Sequence, residues 1–164
     1  MTVYYRHILV AVDLSEQDTY VVQKARNLAQ AFRAKLSVIH VLDNIPMPDT
    51  AYGTVVPLDQ DSSYEMLETV KARLRGLANS LGVDTGDRWM IWGIPGEEIV
   101  RIARQEGADL IMVGSHGRHG LGLLLGSTAN RVLHHAECDV MAIRLPHEIE
   151  RPVPMRELAQ NPSG

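Results

Sequence analysis

The residues with the most chemical promise stand together late in the chain: Gly114, Ser115, His116, Gly117, Arg118, His119, Gly120, Gly122, Gly126, Ser127 and Thr128. Glycines let a backbone come close to a ligand and adopt positive φ. An apolar run at 110–113 precedes this stretch, and a helical pattern from Ala129 to Ala136 follows it. A buried strand that empties through glycines onto a helix start offers unpaired N–H groups and the positive end of a dipole, which together favour an anion. The chemistry implied is a phosphate cradle. A glycine-rich surface loop without a ligand has the same composition, so glycine content alone leaves both readings open. His116, Arg118 and His119 add positive charge. Ser127 and Thr128 could donate hydroxyls to phosphate, or Ser127 could simply cap the helix. Asp13, at the end of the first apolar run, could accept from a ribose hydroxyl or from adenine, or cap the helix that follows.

Other reactive residue types point to structure. His134 and His135 are adjacent and share no helical face, whereas a metal site needs converging ligands. They read as surface histidines near a helix C-terminus. His40 lies in a strand pattern and reads as structural. Cys138 reads as a core filler, and a lone cysteine forms no internal disulfide, which fits a reducing compartment. Trp89 and Trp92 read as packing residues. The chain lacks G-x-x-x-x-G-K-[ST], so no P-loop lysine is available for phosphoryl transfer. Gly114-Ser115-His116-Gly117 is not the G-x-S-x-G of a serine hydrolase.

These candidates need a frame. At 164 residues the chain is expected to form one domain over 1–145, with a loosely held, proline-containing tail at 146–164. Apolar content of 45% and charged content of 22% are ordinary for a globular protein. A net charge of −4 argues against non-specific nucleic-acid binding. The lysines are Lys24, Lys35 and Lys71 alone, which makes no polybasic membrane patch. The first apolar run, 8–12, is too short for a signal peptide and meets Asp13. No stretch approaches the ~18 apolar residues of a membrane span. A cytoplasmic location is expected.

The apolar pattern predicts strands at 4–12, 36–42, 87–92, 110–113 and 139–144. Near-continuous apolar runs such as Ile8-Leu9-Val10-Ala11-Val12 suit a parallel sheet buried on both faces. Between them the helical stripes are Val21, Ala25, Leu28, Ala29 and Phe32; Leu67, Val70, Leu74, Leu77, Ala78 and Leu81; Ile99, Ile102 and Ala103; and Ala129, Val132, Leu133 and Ala136. Ser15 with Asp18, and Ser62 with Glu65, resemble capping boxes. Pro95, Glu97 and Glu98 suit the start of the third helix, and Gly82 and Gly107 suit helix ends. The segment 43–61, with Pro46, Pro48, Gly53 and Pro57, is long for a connection in a compact domain. Alternating strands and helices give an α/β fold, a doubly wound five-stranded parallel sheet with helices on both faces. The order 3-2-1-4-5 is taken for it as a guess. In that order the first and fourth strands are neighbours where the winding reverses. Ligands bind beyond the carboxyl ends of strands at such a switch point. Asp13 and Gly114 stand there, so glycine chemistry and topology select the same place.

Several stretches resemble the universal stress protein family: His7-Ile8-Leu9-Val10-Ala11-Val12-Asp13 with Ser15, then Ser37-Val38-Ile39-His40-Val41, then Gly93, Pro95 and Ile99, then the glycine loop and Cys138-Asp139-Val140. The resemblance covers roughly 4–145. It implies a five-stranded parallel α/β fold in that same order, 3-2-1-4-5, and a dimer through the last strand, Val140 to Arg144. It also implies ATP or another adenine nucleotide, with or without Mg2+, held through G-x2-G-x9-G-[ST]. Gly114, Gly117, Gly126 and Ser127 would occupy that pattern. Asp13 and Val41 match positions at the adenosine end, and Ala11, Val12, Val113 and Thr128 would line the same pocket, with His116 and Arg118 near the phosphates. One departure stands out: the eight residues from Arg118 to Leu125 separate Gly117 from Gly126 where the pattern has nine. A missing residue moves a chain by up to ~3.5 Å, and Gly120 and Gly122 give the loop freedom to adjust. The implied role is a nucleotide-binding stress sensor or adaptor. The alternatives are a stress dimer that binds no nucleotide and a slow nucleotide hydrolase of related fold.

Overall fold

The computed structural model describes residues 4–43, 53–62, 64–115 and 125–145. The elements run β1 (His7–Ala11), α1 (Asp18–Phe32), β2 (Lys35–Leu42), α2 (Glu65–Ser80), β3 (Arg88–Trp92), α3 (Pro95–Glu106), β4 (Leu110–Gly114), α4 (Ser127–His135) and β5 (Asp139–Ile143). All five strands form one parallel sheet in the order β3-β2-β1-β4-β5. The tail expectation at 146–164 and part of the 43–61 segment lie outside the described residues.

Strand alternation divides the buried side chains into two cores. Ile8, Val10, Val12, Val38, Leu42, Leu110 and Met112 pack with α1 and α2. Leu9, Ile39, Val41, Ile111 and Val113 pack with α3 and α4. A side-chain period of two thus fills both faces of each central strand, which is why these strands read as unbroken apolar runs. Each fully buried Leu, Ile or Val contributes roughly 1.5–3 kcal/mol of transfer free energy.

The lower end of the sheet, where strands begin, is closed by polar contacts. The Asp109 carboxylate accepts the N–H groups of Arg6 at 2.9 Å and His7 at 3.0 Å. The His7 ring donates from Nδ1 to the Glu106 carbonyl at 3.2 Å. Its Nε2 therefore accepts from the buried Ser37 hydroxyl at 2.7 Å. Lys35 pairs with Asp87 at 2.7 Å, and the Tyr5 hydroxyl donates to Asp139 at 3.0 Å. The chain bends at Arg6, so β1 starts at His7 and not at Tyr4.

Both expected capping boxes are replaced by other geometry. Gln17 is the N-cap of α1 and Tyr64 that of α2, and neither helix has a side-chain cap. Ser15 instead offers its carbonyl to the Asp18 N–H at 3.2 Å. Glu68, one turn beyond the expected Glu65, accepts the Ser62 N–H at 2.8 Å. The third strand starts at Arg88 because a 3-10 turn, Thr85–Asp87, precedes it. Leu133 was expected to face inward and is 45% exposed. The stripe that packs is Ala129 and Val132, with Leu133 rotated off it.

Part of the 43–61 segment covers a sheet edge. Val55 bridges antiparallel to Ile91, the Gly53 N–H donates to the Trp92 carbonyl, and the Val56 N–H donates to the Met90 carbonyl. The segment is tied back to α2 by a lysine that shares the buried stripe of Leu67, Leu74 and Ala78. Lys71, 2% exposed, donates to the Gln60 carbonyl at 2.6 Å and to Glu68 at 2.9 Å. Arg75 donates to the Leu58 carbonyl at 2.7 Å. β3 is therefore a covered edge. β5, the other edge, pairs with β4 alone among the described residues.

Candidate functional site

β1 feeds α1 on one face of the sheet, and β4 feeds α4 on the other. Their carboxyl ends therefore part and leave a crevice, as the topology requires. A cavity of about 400 Å³ lies there. Its floor is apolar: Ala11 and Val12 from β1 and its exit, Ile39 and Val41 from β2, and Val113 from β4. Its rim is polar: Asp13, Ser15, Gln17 and Asp18 on one side, Gly114, Gly126, Ser127 and Thr128 on the other. The first turns of α1, α3 and α4 all border it, through Asp18, Pro95 and Ser127. Such ends present unpaired N–H groups and partial positive charge.

Local sequence explains how each side is held. The Asp13 carboxylate accepts the Ser15 N–H at 2.9 Å, closing a turn. It does not cap α1, so its bland assignment fails. Leu14 takes φ 61°, in the left-handed region that few residues other than glycine adopt. The Asp18 carboxylate accepts its N–H at 2.5 Å. Burial, followed by the charge of Asp13, raises the Asp18 carboxyl from 3.8 to about 7. His40, as expected, is structural: its Nδ1–H donates to the Val12 carbonyl at 2.8 Å. The same ring also borders the cavity.

On the other side, Gly126 is the N-cap of α4, with no side-chain capping bond, and Ser127 is the first helical residue. The simple-cap reading of Ser127 therefore does not describe it. The Ser115 N–H donates to the Ile143 carbonyl at 2.8 Å, and the Gly126 N–H returns to the Ser115 carbonyl at 2.7 Å. Both ends of the glycine loop are thus fixed to one another, whatever its length. His116, Gly117 and Arg118 lie outside the described residues. The connector motif also has a physical cause. A Cβ on Gly93 would stand 2.6 Å from Glu98 Cγ, and one on Gly96 would stand 2.7 Å from Arg131 Cβ. These glycines let α3 fold back tightly and let α4 approach it.

Every expected pocket residue that the structure describes borders this one cavity: Ala11, Val12, Asp13, Val41, Val113, Gly114, Gly126, Ser127 and Thr128. Sequence reasoning missed further lining residues, among them Gln17, Ile39, His40, Asp43, Ile99 and Leu145, and treated Ser15 and Asp18 only as a cap. The missed signal was distance along α1: one turn past Asp13 the helix start still faces the crevice. His134 and His135 are exposed in the last turn of α4. No cluster that could hold a metal occurs among the described residues. Cys138 is half-buried against the second core, and burial pushes its thiol up, away from nucleophilic form. Among the described residues no helix is long and apolar enough to cross a membrane.

Comparison with known proteins fits this frame. The family model described as the universal stress protein family matches residues 4–144. Universal stress protein A homolog 2 of Coxiella burnetii is 39% identical over 142 residues, covering 86% of this chain and 96% of that one. The solved structure of universal stress protein UspA from Lactobacillus plantarum superposes with a TM-score of 0.61 at 27% identity, over 87% of this chain and all of that one (100%). A universal stress protein solved in complex with cAMP shares the fold, with a TM-score of 0.60 at 24% identity, over 87% of this chain and 98% of that one.

Proposed function

Because the chain belongs to the universal stress protein family, we propose that it binds an adenine nucleotide, ATP foremost, in the crevice between β1 and β4. The bound nucleotide sets the conformation or partner choice of a homodimeric stress sensor or adaptor. One observation carries this reading: an apolar floor and the starts of α1, α3 and α4 meet around a single cavity of about 400 Å³, within the range of small-molecule sites. The floor of Ala11, Val41 and Val113 suits a flat base. Asp13 at the rim suits a hydroxyl or amine donor. Gly114, Gly126, Ser127 and Thr128, with Gly117, His116 and Arg118 of the loop, suit phosphates. Any Mg2+ would arrive on those phosphates. The cAMP complex of a protein of the same fold supports the ligand class.

The chain offers no P-loop lysine, so hydrolysis is at most slow and binding is the function. The homodimer reading rests on β5, an edge that pairs with β4 alone among the described residues and carries the exposed Ala142 and the half-buried Val140 and Met141. Sedimentation analysis of the full chain tests it, and a monomer at every concentration overturns it.

For the nucleotide, ATP at about a hundred times its Kd is expected to stabilise the fold by roughly 2.7 kcal/mol. Ala11→Phe, which fills the floor, is expected to abolish that gain and leave the fold intact. Stabilisation that survives the filled floor would put the ligand elsewhere. Absence of any effect from ATP, AMP or cAMP on the natural chain would favour the dimer that binds no nucleotide.

A further inference from the structure

One buried acid in the crevice wall has no part in the reading above. Asp18 is 8% exposed, and it borders the cavity from the first turn of α1. One of its carboxyl oxygens accepts the Leu14 N–H, and the other reaches the Asp13 N–H at 3.4 Å. The left-handed Leu14 is a conformation that persists only where its surroundings hold it. Asp18 is therefore the peg on which the Asp13–Ser15 turn hangs, and that turn carries the rim carboxylate. The Asp13 side chain lies within hydrogen-bonding reach of Asp18 and opposes its charge. Two carboxyls side by side in a half-closed crevice do not both ionise without cost, so one tends to keep a proton.

Among the described residues the charged and titratable surroundings of Asp18 are few. Asp13 faces Asp18 from the β1 exit. His40 and Asp43 border the same cavity from β2 and its end, and Arg73 of α2 borders a second cleft behind Asp18. Glu16, in the turn ahead of α1, is exposed. From the described part of β4 the cavity receives only Val113 and Gly114.

Resting on the reading that this crevice takes an adenine nucleotide, we infer that binding is proton-linked through Asp18. The anionic ligand draws one proton from solvent onto the Asp18 carboxyl, and loss of that proton weakens binding. The linkage is reciprocal: whatever the ligand does to the proton affinity, the proton does to the ligand affinity. The carboxyl's value of about 7 puts the change in the neutral range. A second negative charge nearby typically moves a carboxyl by about one unit or more, which is about tenfold in affinity between the two limits.

The test is calorimetric titration of the full-length chain with ATP from about pH 6 to about pH 9, beside Asp18→Asn. The amide still offers an oxygen to the Leu14 N–H and carries no titrating proton. The phosphate of ATP titrates identically against both proteins, so the ratio of their Kd values isolates Asp18. The natural chain is expected to lose about tenfold in affinity relative to the variant as pH rises. Carboxyl 13C NMR of the natural chain supplies a second reading that needs no variant: the Asp18 midpoint is expected to rise when ATP saturates the crevice. A pH-independent ratio, or an unmoved midpoint with ATP bound, overturns the proton linkage and leaves the nucleotide reading standing. If neither protein binds ATP at any pH, both fall together.

Discussion

The two ends of the sheet use polar groups in opposite ways. At the lower end, Asp109, His7, Ser37, Lys35 and Asp87 are paired with backbone or with one another over short distances. At the upper end, Asp13, Asp18, Ser127 and Thr128 border a cavity, and α4 starts without a side-chain cap. Side chains at one end close on one another, and those at the other surround a crevice. Polar groups that satisfy each other contribute to the fold; around the crevice Asp13 and Asp18 also hold a local turn, while Ser127 and Thr128 make no side-chain cap. The same contrast separates conservative repair from loss of function. A lesion below should weaken the whole molecule, and a lesion above should leave it folded and empty.

The most forceful way to break this contrast is Asp109→Ala. It strips two backbone N–H groups of a charged acceptor. Hydrogen bonds to charged groups contribute roughly 1.5–3 kcal/mol each, and Asp109 is half-exposed to solvent, which lowers that figure. Urea unfolding is expected to show a loss of about 2 kcal/mol, with the Kd for ATP unchanged in the folded fraction. A large change in Kd would mean that the ends are not independent.

A subtler test uses pH, because the two ends titrate with opposite sign. Burial, and then the charge of Lys35, hold His7 below its ordinary value of 6.5. Its contribution is present in full above 6.5 and is lost as pH falls through the lowered folded value. Asp18, raised from 3.8 to about 7, does the reverse. Its contribution is present below 3.8 and is lost as pH rises through about 7. His7→Gln is therefore expected to remove a rise of stability with pH below 6.5, and Asp18→Asn to remove a fall of stability with pH between 3.8 and about 7, read as urea midpoints at several pH values. Identical profiles for both variants and the natural chain would remove the distinction.

The smallest effect is a gain. Arg33 ends α1 in the left-handed region at φ 54° and is exposed. Arg33→Gly relieves that conformation and is expected to stabilise the fold by roughly 0.5–1 kcal/mol, visible in thermal unfolding. As a change at the lower end, it should leave ATP affinity alone.

What the sequence disclosed follows from the same contrast. Period-two and period-3.6 apolar patterns report burial, and burial fixes which faces pack; Ile8, Leu9, Ile111 and Met112 are legible for that reason, whereas the strand order rests on the family resemblance. The crevice was legible because topology places it wherever β1 and β4 part. Side-chain partners were not. Ser15 and Asp18 have capping-box spacing, but the left-handed Leu14 turns the acid onto the crevice-side backbone, and helix propensity carries no record of that. Lys71 stands on the buried stripe of α2, and its partners, the Gln60 carbonyl in the preceding segment and Glu68 one turn back, leave no trace in apolar periodicity. Leu133 fits the helical stripe, but close approach at Gly96 fixes α4 at an angle that carries Leu133 out.

The hydrogen bond from Gly126 to the Ser115 carbonyl has a consequence of its own. It makes the glycine loop a cassette, leaving and rejoining the frame at one clasp. Residues can be inserted, deleted or exchanged between the clasp points without re-registering β4 or re-aiming α4. A designer could therefore graft a segment of another length onto the same two anchor residues.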